Sequence, residues 1–346
     1  MDKQDFKKKF DPNATGNTTN NIFGLPFDVH DSRLVFIPIP WDVTVSNHQG
    51  TAEGPGNIFG NSFQIDLYDP LAPNAWKKGM AMEKIDPRTI TNNRIARQHA
   101  EKIILHLEAG GVPENLPGIE EALNYVNQAC ENLCQELEIK SLQYLENQQI
   151  PLVIGGDHST PLGLIRALAK QGEFGILQID AHADMRDQYQ GFSHSHASIM
   201  RNALNTEGVV QLTQVGIREL CPEEVQFISR HPRKIMTFFD HNIHQRMFEG
   251  ETWSEICQDI VSRLPKRVYI SFDVDGLDPS LCPGTGTPVP GGLTFNQAIY
   301  LLETLVKEGK QLVGADLVET GSTPLDGIVA SRILYRMAGM VIHSNE

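Results

Sequence analysis

No stretch of this chain approaches the roughly 20 consecutive apolar residues that a membrane-spanning helix requires. Its opening residues, MDKQDFKKKF, lack the apolar core of a secretory signal, so a cytoplasmic protein with no membrane partner is expected. Cysteine is scarce. The five present (Cys130, Cys134, Cys221, Cys257, Cys282) are scattered and odd in number, which suits reduced thiols rather than a disulfide framework. Cys130 and Cys134 stand one helical turn apart with no second pair at zinc spacing, the pattern of helix packing. Basic charge is short too: 29 Lys and Arg against 43 Asp and Glu give a net charge of −14, and Lys7 to Lys9 form the one short basic cluster. Nucleic acid is therefore not an expected partner. The acidic balance is compatible with a cationic ligand or metal, although surface solubility accounts for it equally well.

What the chain does have is a sizeable apolar fraction, 40% of 346 residues, enough for a large core. Residues 1–33, with "DPNATGNTTNN", read as a polar, loosely ordered arm. From Leu34 short solid apolar runs alternate with helical patterns. "LVFIPIP", "PLVIGG", Phe174 to Asp180, "VVQLTQVGI", "RKIMTFF", "RVYISFDVD" and "QLVGADLVE" read as strands. Helices are expected at "IEEALNYVNQACENLCQELEIKSLQYLENQ", Pro161 to Lys170, around Trp253 to Leu264, Phe295 to Lys307 and Asp326 to Met340. Such alternation predicts an α/β fold, a mostly parallel sheet covered by helices on both faces, as one domain over 34–346. Leu71 to Pro117, with Pro73, Pro87 and Gly110-Gly111, reads as an elaboration.

In a parallel α/β sheet, ligands bind beyond the carboxyl ends of the strands. Four segments put unusual residues there: "VIGGDHST" (Asp157, His158), "LQIDAHAD" (Asp180, His182, Asp184), "ISFDVDGLDP" (Asp273, Asp275, Asp278) and "DLVETGS" (Glu319). Asp180, Asp184, Asp273 and Asp275 follow apolar strands closely, and four such carboxylates cannot all stay ionised without compensating cations. By charge counting, two divalent ions balance them, with His158 and His182 beside them, and two ions would activate a water as nucleophile. Imidazole with carboxylate and no thiolate points to Mn2+ first, with Ni2+, Co2+, Fe2+ and Zn2+ allowed by the same chemistry. Asp157 and Asp278 suit either an outer ligand or a turn.

These motifs resemble the ureohydrolase family of arginases and agmatinases: "GGDHS", "DAHAD", "SFDVDGLDP" followed by "GTGTPVPGGLT", and the earlier "GTAEGP". The resemblance implies a three-layer αβα fold, a binuclear manganese centre and hydrolysis of a guanidino group to urea and an amine. It places the metal ligands on His158, Asp180, His182, Asp184, Asp273 and Asp275. It also implies that Asp184 orients the nucleophile and that His196, in "FSHSHASIM", carries a proton to the leaving amine, with His194 a rival in the same segment. Glu319 is implied to grip the guanidinium, and Thr287 to line the pocket or serve a turn. Trimers or hexamers are implied as well.

Substrate choice is where the match thins. Met185, Arg186 and Asp187 follow "DAHAD" where arginases carry an asparagine that holds the amino-acid head, so agmatine is the first expectation. "VETGSTPLDG" departs from the usual continuation after the glutamate, which keeps free guanidine, a guanidino acid and arginine open. Rivals of other classes are a single-zinc amide hydrolase of the deacetylase type and a non-catalytic relative.

Overall fold

The structure, a computed structural model, describes residues 10–346; Lys7 to Lys9 lie outside them. Eight strands form one all-parallel sheet: β1 (Leu34–Ile39), β2 (Met80–Met82), β3 (Ile150–Gly155), β4 (Phe174–Ile179), β5 (Val209–Ile217), β6 (Ile235–Phe239), β7 (Arg267–Asp273) and β8 (Gln311–Val318). Their spatial order is β2-β1-β3-β8-β7-β4-β5-β6. Ten helices of six residues or more flank it among the described residues: α1 (Gly54–Ser62), α2 (Pro87–Glu108), α3 (Ile119–Glu146), α4 (Leu162–Ala169), α5 (Ile199–Leu204), α6 (Pro222–Arg230), α7 (Asp240–Phe248), α8 (Trp253–Ser262), α9 (Phe295–Lys307) and α10 (Pro324–His343).

Strands buried on both faces must be apolar throughout, which explains the solid runs. One apolar cluster lies under α8, α9 and α10 and a second under α2, α3, α4 and α5, giving three layers. Local chemistry sets the boundaries of the C-terminal helices. Thr294 and Gln297 make a capping box at the start of α9, and Thr323 and Asp326 make one at α10 with Pro324 in its first turn.

One expectation is corrected. The arm over 1–33 is not loose throughout: Ile22, Phe23 and Leu25 are at most 2% exposed, and Phe23 packs edge-on against Phe36 and Tyr335. Apolar residues isolated in a polar stretch give no periodic signal, yet each fills the space beside the sheet edge. The Leu71 to Pro117 stretch, expected as an elaboration, holds an edge strand and a long helix. Met80–Met82 pairs parallel with β1 as an edge strand, and α2 buries Ala96, Ala100, Ile103 and Ile104, a stripe of small and branched residues within an otherwise polar helix. Asp86 caps α2 through the Arg88 N–H, and Pro87 occupies its first turn.

The strand order positions the site. β3, β8, β7 and β4 are neighbours at the centre of the sheet, in register, with Ile154 opposite Leu317, Asp273 opposite Val318 and Ile179 opposite Phe272. Their four carboxyl ends therefore open at one level. Close contact between the loops needs glycine at two points: a Cβ on Gly156 would lie 1.9 Å from the Trp41 carbonyl oxygen, and one on Gly276 would lie 2.6 Å from the Asp180 nitrogen.

Candidate metal centre and active site

The six expected ligands meet at this edge. His158, Asp180 and Asp273 offer ligand atoms all within 4.8 Å of one another, and Asp180, His182 and Asp275 do the same. Asp180 belongs to both triads and so joins them. His158 Nδ1 stands 3.0 Å from Asp180 Oδ2, 3.1 Å from Asp184 Oδ2 and 3.3 Å from Asp273 Oδ2. His182 Nδ1 is 3.0 Å from Asp275 Oδ2 and 3.6 Å from Asp180 Oδ1. His182, 24% exposed, is the ligand nearest solvent; His158 and the four carboxylates are buried.

Despite those short distances, His158 Nδ1 makes no hydrogen bond among the described residues. A buried nitrogen facing three carboxylate oxygens is a cation site in its donor chemistry. The other ring nitrogen is engaged: Nε2 sits 2.9 Å from Ser271 Oγ, which donates to Asp316 Oδ1 at 3.1 Å. That fixes the ring, as metal-binding histidines generally require. Burial raises the Asp316 carboxyl to about 6.

The electrostatics say the same. Burial, then the charge of Asp180, raises Asp184 to about 7, and burial with Asp275 and Asp180 pushes Asp273 well above the ordinary range. Asp180, although burial opposes its charge, is held below that range by His158 and His182. Without a cation the cluster is thus a set of shared protons; a divalent ion takes their place.

Asp180 is aimed from beneath. Gln178 Nε2 donates to Asp180 Oδ2 at 2.8 Å and to the His182 carbonyl at 3.1 Å. Gln214 in turn donates to Gln178 Oε1 at 2.7 Å and to the Ala183 carbonyl at 2.8 Å, and Thr237 donates to Gln214. On the β7 side, the Asp275 N–H donates to Asp273 Oδ1 at 2.8 Å and the Ala181 N–H donates to Asp275 Oδ1 at 3.0 Å. Asp184 and Glu319 have φ of 54° and 60°, the left-handed region that costs a non-glycine residue about 1–2 kcal/mol. Both strained residues carry expected roles.

Glu319 is buried; its Oε1 accepts the His158 N–H at 2.8 Å. Burial, reinforced by Asp157, raises its pKa well above the ordinary value. Its Oε2 faces Gly286, where a Cβ would lie 3.3 Å away. Thr287 Oγ1 lies 3.4 Å from Asp275 Oδ2, beside the cluster. His196 is half-buried, its Nδ1 3.3 Å from Thr44 Oγ1 and its ring edge-on to Tyr189. Burial, with the charges of His182 and His158, pushes it down to about 3. His194 instead reaches Glu131 on α3 at 3.5 Å, which is shared with Arg166. Asp278 caps its own turn through Ser280 and does not join the cluster. Asp157 accepts from the Ser159 N–H and hydroxyl, and burial raises it to about 6.

Besides Gln178, Gln214, Ser271 and Asp316, three residues at the loop after β1 went unread in the sequence: Asp42 and Thr44 on it and Arg97, which reaches it from α2. Asp42 Oδ2 accepts the Gly50 N–H at 3.1 Å and its Oδ1 accepts from Asn93 on α2 at 3.0 Å. The one available signal was position: "PWDVT" follows β1 at the same sheet edge as the metal motifs.

A parallel sheet whose central strand ends gather two histidines and four aspartates beside a buried glutamate has the donor set of a metal-dependent hydrolase. The arginase family pattern matches residues 32–338, and the chain belongs to that family. It is 34% identical over 316 residues to the N(1)-aminopropylagmatine ureohydrolase of Thermus thermophilus, covering 90% of each chain. It is 29% identical to the agmatinase of Pyrococcus horikoshii, covering 90% of this chain and 93% of that one. The proclavaminate amidino hydrolase of Streptomyces clavuligerus superposes with a TM-score of 0.71 at 21% identity, over 96% of this chain and 99% of that one, a likeness of fold.

Proposed function

We propose that the protein is a two-metal ureohydrolase of the cytoplasm whose substrate is an amine-bearing guanidino compound, agmatine first and its N1-aminopropyl derivative second. The observation that carries the reading is the orphaned His158 Nδ1, ringed by three carboxylate oxygens, while the same residue's N–H holds Glu319. The amine tail follows the names of the Thermus and Pyrococcus relatives. In this reading His158, Asp180, Asp184 and Asp273 hold one ion, and Asp180, His182 and Asp275 hold the other, manganese being the first choice by ligand type. Bound there, two divalent ions supply the Lewis acidity that activates water at neutral pH.

The chain's own groups do the rest. Glu319, ionised against the substrate's charge, accepts hydrogen bonds from the planar guanidinium and holds its carbon over the cluster. Asp184 accepts a hydrogen bond from the attacking water and so orients its lone pair. Water adds to the guanidinium carbon, the bond from that carbon to the alkyl nitrogen breaks, and both protons of the water end on the leaving nitrogen, which already carries one hydrogen, giving urea and an alkylammonium. His196, whose pKa burial lowers, takes up one of these protons transiently and passes it to the amine. Thr287 lines the pocket at Asp275. A trimeric or hexameric assembly completes the proposal.

The test is urea release by Mn2+-loaded and Ni2+-loaded protein over agmatine, N1-aminopropylagmatine, arginine, 4-guanidinobutyrate, 3-guanidinopropionate and guanidine. Turnover of the two amines above the others supports the reading. A preference for guanidine or a guanidino acid replaces the substrate and keeps the reaction. Urea from none with both ions bound, alongside amide hydrolysis, overturns it.

A further inference from the structure

Thr44 is fully buried on the loop after β1, and its hydroxyl meets three groups. The His196 backbone N–H donates to its Oγ1 at 3.2 Å, His196 Nδ1 stands 3.3 Å away, and Asp157 Oδ2 lies 3.4 Å away. A hydroxyl has one hydrogen and two acceptor sites. Asp157, a carboxylate, only accepts, so the Thr44 hydrogen turns toward it. The oxygen's two acceptor sites are then left for the His196 N–H and for a proton on Nδ1.

We propose that Thr44 is a positioning residue that selects the Nδ1–H tautomer of His196, so that Nε2 presents its lone pair to the substrate's leaving nitrogen. Histidine catalysis depends on which ring nitrogen carries the proton, and that is set by the hydrogen bond the other nitrogen makes. When Nε2 takes up a proton, the Nδ1–H stays on Thr44 and the Asp157 carboxylate backs the positive ring through the hydroxyl. Ser195 Oγ, 3.4 Å from Nδ1, is the other nearby hydroxyl, and it accepts the Ala197 N–H. The charged and titratable groups acting on the ring are His182, His158, Asp180 and Arg97, together with Asp157 beyond Thr44 and Tyr189 at the ring edge.

The loop is built to hold Thr44 still. Arg97 reaches across from α2 and donates to the carbonyls of both flanking residues, Val43 at 3.1 Å and Val45. Asp42 binds the N–H groups of Gly50 and Ala52 and pairs with Asn93 from both its backbone and its side chain. α2, far from the metal ligands in sequence, thereby sets the proton-carrying side chain.

This inference rests on the proton-carrying reading of His196, and the experiment separates the two. The full-length Zn2+-loaded protein, a diamagnetic form, is labelled with ¹⁵N-histidine and compared with His196→Ala to assign the ring. Nδ1 is expected to carry the proton in the wild type and in Thr44→Ser, whereas Thr44→Val shifts it toward Nε2. In the Mn2+-loaded enzyme Thr44→Val is expected to lower kcat by on the order of ten- to a hundred-fold, within the about 10²- to 10⁴-fold that general acid–base catalysis contributes. KM should stay within about threefold and metal content unchanged, and Thr44→Ser should recover kcat to within about threefold, because the hydroxyl alone is at issue. A proton on Nε2 in the wild type overturns the inference, as does a Thr44→Val loss of kcat that tracks loss of metal. If His196→Ala turns over at the wild-type rate, the proton-carrying reading fails, while the tautomer measurement still decides what Thr44 does.

Discussion

His158 and Glu319, 161 residues apart in the chain, are joined by a 2.8 Å hydrogen bond from the backbone N–H of the first to Oε1 of the second. One residue thus turns its ring to the metal cluster and its main chain to the group proposed to hold the substrate. Glu319→Gln keeps an acceptor for that N–H but removes the charge that balances the guanidinium. Its metal content should match the wild type while kcat/KM falls at least ~100-fold, following the roughly 3–5 kcal/mol lost when one partner of a buried ion pair is removed. Steady-state kinetics with metal analysis on the same sample checks this, and a parallel loss of metal would contradict it.

Asp180 is common to both triads, whereas Asp275 belongs to one. Asp180→Ala should therefore empty both half-sites and abolish urea release, and Asp275→Ala should retain one ion. Elemental analysis after dialysis against a defined Mn2+ concentration distinguishes them. An Asp180→Ala protein that kept its metal and activity would refute the site.

Metal uptake should depend steeply on pH. In the cation-free cluster His158 and His182 are raised well above 6.5 by their carboxylates despite burial, and burial chiefly raises Asp184 to about 7. All three bind a cation only after losing a proton, so loading releases protons and affinity climbs as pH rises from roughly 6 to 8. Titration calorimetry in two buffers of different ionisation enthalpy measures the protons released; a buffer-independent heat would exclude the mechanism.

Phe23→Ala tests whether the early segment belongs to the core. The ring is 2% exposed and packed against Phe36 and Tyr335, so its truncation should cost about 3–5 kcal/mol, read as a lowered urea midpoint. A change below about 1 kcal/mol would return the segment to the status of a surface arm.

Beneath the metals, Gln214→Ala should leave Gln178 Oε1 and the Ala183 carbonyl without their donor. A destabilisation of about 1–3 kcal/mol is expected, since buried acceptors lose their partner. Weaker metal retention should accompany it, because Gln178 no longer holds Asp180 firmly. Thermal unfolding with and without Mn2+ measures both.

The parts of this fold legible in sequence are those whose signal is local. β5 and α9 fall on the residues read for them, one through an apolar run and the other through periodicity. The clustering of the six expected ligands is legible because carboxylates and histidines that follow apolar strands are too costly to bury unless a cation compensates them. β2 is only three residues long and exists because β1 offers it an edge, and the polar sequence of α2 hides its buried stripe. Gln178, Ser271, Asp316 and Thr44 are illegible for a related reason. Each works through a partner brought close by the sheet, as when Thr44 meets His196 across 152 residues. Side chains of ordinary type acquire such roles only once the strands are ordered.

That order also sets when the site comes into being. β8, the last strand of the chain, lies between β3 and β7, so a growing polypeptide that has not yet delivered Gln311–Val318 holds two separate half-sheets. His158 sits on one half, while Asp180, His182, Asp184, Asp273 and Asp275 sit on the other, and Glu319 has not yet been made. Without that strand the triad of Asp180, His182 and Asp275 is gathered on one half, whereas the triad that needs His158 is not. The strand that closes the gap brings His158 to the other expected ligands and also delivers the glutamate proposed to hold the substrate.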